Sequence, residues 1–141
     1  MDSLTRRQFL EGSAAILGVS LAGCGAQPAS GPSARAGEGG AIILTGVPTL
    51  EPGAGQIFIF PGGEPGLIFK AKDGTSGAVS AKCTHAGCTV EWDGRAKIPL
   101  RCPCHESHFA LDGQVLSGPA KAPLKHYAVS VTGEEITLRP L

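Results

Sequence analysis

The stretch RCPCHESHF, residues 101–109, sets two cysteines either side of one proline, with a histidine directly after the second. Upstream, KCTHAGC at 82–88 holds two more cysteines and another histidine. Paired, the two stretches offer Cys83-x-His85 and Cys102-x-x-His105, so each supplies one thiolate and one imidazole. That donor set suits a tetrahedral zinc ion or an iron–sulfur centre with two cysteine and two histidine ligands. Zinc sites more often draw their ligands at Cys-x₂₋₄-Cys or His-x₃₋₅-His spacing than as Cys–His pairs. Each stretch also holds a further cysteine, Cys88 in one and Cys104 in the other.

Around these two loops the chain reads as short strands. The β-rich runs are AIIL (41–44), QIFIF (56–60), GLIFKA (66–71), AVSAK (78–82), TVEWD (89–93), IPLRC (98–102), HFALD (108–112), QVLS (114–117), YAVSVT (127–132) and EITLRPL (135–141). Asp-Gly recurs at 73–74, 93–94 and 112–113, the dipeptide favoured where hairpins need positive φ. No window after residue 40 sustains a helical period, so the expectation is one all-β domain over 41–141, a small antiparallel sandwich or barrel. Lysine plus arginine equals aspartate plus glutamate, 12 against 12, which gives no basis for a nucleic-acid partner.

The first 40 residues differ in kind. SLTRRQFL (3–10), followed by the apolar run GSAAILGVSLAG (12–23), resembles a twin-arginine export signal. As a helix that 12-residue run would reach about 18 Å. The hydrocarbon layer is roughly 30 Å thick, so a stable membrane span is not expected. LAGC (21–24) is similar to a bacterial lipobox, which would make Cys24 the acylated amino terminus and account for the odd fifth cysteine. Two acyl chains hold a domain at a membrane far better than one. Residues 25–40, GAQPASGPSARAGEGG, are read with Cys24 as a lipid-anchored flexible tether, because they offer little apolar surface to offset ordering.

Taken together, CTHAGC (83–88) and CPCHES (102–107) resemble the two boxes of Rieske iron–sulfur proteins, in the disulfide-bearing branch related to cytochrome bc complexes. GPAKAP (118–123) is similar to that family's proline-rich loop. The resemblance implies a Rieske-type β-sandwich or barrel whose two loops form a cluster-binding subdomain. It implies one [2Fe–2S] cluster, with Cys83 and Cys102 on one iron and His85 and His105 on the other. It also implies a disulfide between Cys88 and Cys104, a hydrogen bond from Ser107 to a bridging sulfide, and a covering loop including Gly118, Pro119 and Pro123. Such a disulfide needs an oxidising compartment, which the export signal supplies. The twin-arginine route also carries proteins already folded.

The implied function is electron transfer in a membrane-associated respiratory chain. The chain could serve as the iron–sulfur subunit of a quinol:cytochrome c oxidoreductase or as a stand-alone relative, without a catalytic group of its own. The implied partners are cytochrome b- or c-type proteins, with quinol as a further candidate. The alternative is the small subunit of a periplasmic oxidase resembling arsenite oxidase, paired with its large subunit. A structural zinc domain is the remote alternative. The implied location is the periplasm or the outer face of the bacterial cytoplasmic membrane, with the outer membrane also open, held by the lipid anchor.

Three positions depart from the family pattern. Glu106 stands where the second box has glycine, Ala86 where the first has a bulky apolar residue, and Phe109 where high-potential members have a tyrosine. An added negative charge and a missing hydroxyl predict a reduction potential in the lower half of the disulfide-bearing range. His108 and His126 are read as surface or packing residues, and Trp92 as core.

Overall fold

The computed structural model describes residues 31–94 and 97–141. The export signal, Cys24 and the first part of the tether lie outside the described residues.

Among the described residues eleven strands follow one another: β1 (Ser33–Ala36), β2 (Ile42–Thr45), β3 (Gly55–Ile59), β4 (Pro65–Lys70), β5 (Ser76–Ser80), β6 (Glu91–Trp92), β7 (Leu100–Cys102), β8 (Ser107–Phe109), β9 (Val115–Ser117), β10 (His126–Thr132) and β11 (Glu135–Pro140). Each of the ten predicted runs overlaps one of β2 to β11, and the all-β expectation holds. The larger sheet has the order β1-β2-β11-β10-β5-β4-β3, and the smaller β6-β7-β8-β9. Neighbouring strands in both are antiparallel. The three Asp-Gly pairs lie between β4 and β5, β6 and β7, and β8 and β9, with Gly74, Gly94 and Gly113 at positive φ.

One sequence feature decides how the sheets stack. The run Gly66–Phe69 is buried at every residue, whereas a strand with one wet face would alternate. Leu67 and Phe69 point into a core shared with the small sheet and the loops around it, alongside Val79, Ala81, Val90, Leu100, Phe109 and Leu124. Ile68, of opposite parity, joins Leu44, Phe58, Phe60, Ala78 and Leu138 in a second core on the other side. β4 and β5 are therefore the shared wall between two cores. Trp92, half-buried, pins the small sheet to this wall. Its ring stacks on Phe69 with centroids 4.9 Å apart and donates its indole N–H to the Gly53 carbonyl at 2.6 Å.

The tether is shorter than expected at its downstream end. Ser33–Ala36 is not loose chain but an edge strand, in register with β2 from Ser33↔Thr45 to Ala36↔Ile42. A single 3₁₀ turn, Glu38–Gly40, leads from it into β2. SARA carries no apolar run, so local pattern alone reads as linker. What makes it a strand is the free edge of β2, together with Ala34 packed on the second core and an Arg35–Glu135 ion pair at 2.7 Å.

Candidate metal centre

Two loops of the same construction meet at one end of the molecule. The first, 83–88, begins just after Lys82, which bridges to Thr89, and its neck is closed by Cys83 N–H donating to Cys88 O at 2.8 Å. The second, 102–107, joins β7 to β8, with Cys102 paired opposite Ser107. In each loop the leading cysteine's carbonyl accepts a hydrogen bond from the N–H four residues on: Gly87 to Cys83 at 2.9 Å, Glu106 to Cys102 at 3.0 Å. Closing that turn puts its last residue in the left-handed region, with φ 79° at Gly87 and 57° at Glu106. Glycine is the usual occupant of such a position. Glu106 is the non-glycine residue at positive φ among the described residues.

Arg101 on β7 accompanies that exception. Its Nε donates to Glu106 Oε2 at 3.0 Å and its Nη2 to Oε1 at 2.5 Å, a two-pronged fork. The hydrogen bond from the guanidinium, more than its charge, holds the Glu106 carboxyl below the usual carboxylate range, and the carboxylate in turn raises Arg101.

The four predicted ligands separate into two pairs. Cys83 and Cys102, 3% and 1% exposed, are rooted in the core between the sheets. Burial pushes the Cys102 thiol up, while the backbone N–H groups of Cys104 and His105 pull it down, and the neighbouring Cys83 thiol adds to the upward push. His85 and His105 are exposed instead, their rings edge to face with centroids 4.7 Å apart. No three of these four donors fall within 4.8 Å of one another. A single tetrahedral zinc, with bonds of about 2.0–2.3 Å, would need all of them closer than that. The sulfurs of Cys88, Cys102 and Cys104 do lie within 4.8 Å, but two of the three are joined to each other in the Cys88–Cys104 disulfide. The set therefore does not offer three thiolates. Two sulfurs inside and two nitrogens outside fit a two-iron group better than one ion.

The disulfide links the loops directly, with 6.5 Å between its Cα atoms. The segment 118–123 ties them a second time. Ser107, wholly buried, accepts the Ala120 N–H on its hydroxyl at 3.1 Å. Thr84 donates its hydroxyl to Ala122 O at 2.6 Å. Gly118, at φ 95°, lies so close to the second loop that a Cβ there would be 2.5 Å from Ser107 Cα and 2.6 Å from Glu106 O. Pro119 and Pro123 are exposed on the same segment.

Cys83, His85, Cys102, His105, Cys88, Cys104, Ser107 and the 118–123 segment thus gather in one place. Thr84 and Ala120 lie within the predicted stretches, though their hydrogen bonds are visible only in the structure, and Arg101 lies just before the second box. Only Arg101 left a legible cue: a cation between inward-facing Leu100 and Cys102 must point outward, toward the side from which Glu106 approaches. His108 lies beside the pair, its Nδ1 2.9 Å from Ser117 Oγ, in a packing role as expected.

Comparison with known proteins agrees with this construction. A Rieske [2Fe-2S] domain family model matches residues 47–128. The chain is 33% identical to the cytochrome b6-f complex iron-sulfur subunit 3 of Nostoc sp., over 98% of this chain and 86% of that protein. It is 40% identical to the corresponding subunit of Chlorobaculum tepidum over 61% of this chain, a match spanning 46% of that relative's length. Among solved structures, the plasma membrane Rieske protein of Synechocystis PCC 6803 matches with a TM-score of 0.51 and 37% identity, over 59% of this chain and 83% of that one. The ferredoxin of carbazole 1,9a-dioxygenase from Nocardioides aromaticivorans matches with a TM-score of 0.53 and 26% identity, over 65% and 89%.

Proposed function

Because the chain belongs to the Rieske [2Fe–2S] family, its work is electron transfer, and we propose that Cys83 and Cys102 hold one iron of the cluster while His85 and His105 hold the other. The observation that carries this assignment is the sorting of the donors, a buried sulfur pair and an exposed imidazole pair on matching loops. The bound cluster supplies one-electron chemistry at roughly −150 to +300 mV, because two neutral imidazoles replace two anionic thiolates. The exposed imidazoles form the face through which a redox partner would exchange electrons. The buried cysteines root the cluster in the core. Ser107, whose oxygen already accepts from Ala120, keeps its hydroxyl proton to donate toward a sulfide.

The relatives named as cytochrome b6-f complex subunits support a cytochrome complex as the working partner. Residues 3–10 and 21–24 support export by the twin-arginine route and acylation at Cys24, which would place the domain at the outer face of the membrane. The deciding experiment is iron and acid-labile sulfide analysis of the purified chain, with electron paramagnetic resonance after dithionite reduction. Two irons, two sulfides and a reduced-state signal are expected. A colourless, zinc-loaded, silent protein would overturn the assignment.

A further inference from the structure

The fork between Arg101 and Glu106 lies beside the second loop and has no part in holding the irons. Arg101 stands in a row running across the small sheet: Glu91 on β6 pairs opposite it, His108 on β8 pairs on its other side, and Ser117 on β9 pairs with His108. The row is anchored, since His108 is held by Ser117 Oγ and its Nε2 faces Glu106 Oε2 at 3.9 Å. Glu91 and Asp93 add favourable charge around the guanidinium. Arg101 is therefore fixed to a sheet, whereas Glu106 belongs to a loop and directly follows His105. Glu106 also occupies a left-handed position that side chains disfavour, φ 57°, in a turn the first loop closes with Gly87.

We propose that Arg101 is a positioning residue of the cluster site. Through its two-pronged bond to Glu106 it fastens the second loop's left-handed turn to the small sheet, which sets the approach of His105 to its iron. It also cancels the carboxylate charge that this chain places beside that histidine. The inference rests on His105 being an iron ligand, as proposed above. Fork geometry is what carries it, because a guanidinium matches a carboxylate in two parallel bonds and so fixes orientation as well as charge.

The test uses the cluster-loaded chain with Arg101→Gln, Glu106→Gly and the double variant, read by redox titration and by the g-values of the reduced state. Arg101→Gln should lower the potential, because it leaves an uncancelled carboxylate next to the imidazole-bound iron. The reduced-to-oxidised ratio at fixed ambient potential should fall about threefold to tenfold, tenfold being about 59 mV for one electron. The g-values should broaden as His105 loosens. In the Glu106→Gly background the same substitution should leave the g-values unchanged and move the potential only by the loss of the guanidinium's own charge. Unchanged g-values in Arg101→Gln, or an equal change of g-values in both backgrounds, would overturn the proposal. Failure of the ligand assignment reads differently, as a wild-type protein lacking the two-iron signal. Even then, thermal unfolding reports the fork: a loss of Tm on Arg101→Gln that disappears with Glu106→Gly supports the fastening, and equal losses reject it.

Discussion

Gly118 and Ser107 meet where the 118–123 segment presses on the second loop, and neither tolerates much change. A methyl group at Gly118 would sit 2.5 Å from backbone that cannot retreat without moving Ser107. Gly118→Ala is therefore expected to destabilise the loaded protein by about 1–3 kcal/mol, as overpacking does, seen as a lower Tm and faster bleaching of the visible absorption. Ser107→Ala leaves the Ala120 N–H without its acceptor in a buried site. A loss of about 1–3 kcal/mol follows, and, if the hydroxyl serves the sulfide, the potential falls as well. At Phe109 the side chain is fully buried and has no proton to give a sulfur. With the Glu106 charge met by Arg101, the missing hydroxyl alone predicts a wild-type potential in the lower half of the roughly −150 to +300 mV Rieske range. A protein-film titration near the top of that range would contradict the prediction.

At the scale of elements, the two loops are held as a unit by ties of different kinds. The disulfide spans 16 residues of sequence and stabilises chiefly by restricting the unfolded chain. Cys104→Ser should cost about 3 kcal/mol by that account and speed iron release to a chelator, measured as loss of absorbance over time. The Lys82–Glu64 ion pair at 2.8 Å fastens the base of the first loop near the turn before β4. Glu64 is held below its ordinary value of 4.5, first by the hydrogen bond from Lys82 and then by its charge. A carboxyl depressed on folding contributes stability above its unfolded pKa and loses it as pH falls through the folded one. Thermal stability should therefore decline below about pH 4.5 on this account, and Glu64→Gln should make that decline shallower. Asp73, lowered by the Thr75 N–H, has the same sign.

For the whole molecule, the cluster site sits at the end of a wall, β4 and β5, that is buried on both faces. Trp92 holds the small sheet on that wall by stacking and one hydrogen bond. Trp92→Ala is expected to cost about 3 kcal/mol or more, within the range for removing a large aromatic from a packed site. It should also weaken cluster retention, because Cys102 moves with the small sheet. Attachment to the membrane is proposed to act through Cys24 alone. Cys24→Ser in the producing cell should therefore shift the protein from the membrane fraction to the soluble one, with its spectrum unchanged.

Much of this was legible in residue order, because the features involved are local. Alternating and continuous apolar runs define strands through the two-residue period of the pleat, and Asp-Gly marks turns through positive φ; β2 to β11 follow from those signals. The two loops announced themselves through cysteine and histidine, residue types whose chemistry is specific at short spacing. Other features exist only because distant segments meet. Ser33–Ala36 became a strand because β2 had an open edge and Glu135, a hundred residues away, offered Arg35 a partner. The bonds from Thr84 to Ala122 and from Ala120 to Ser107 arise where 118–123 folds over both loops. The left-handed turn at Glu106 could be suspected from sequence, but its fastening by Arg101 required the register of β7 against β8. Hydrophobic periodicity and ligand identity are properties of neighbours in the chain, whereas capping, edge pairing and charge cancellation depend on which surfaces packing brings together.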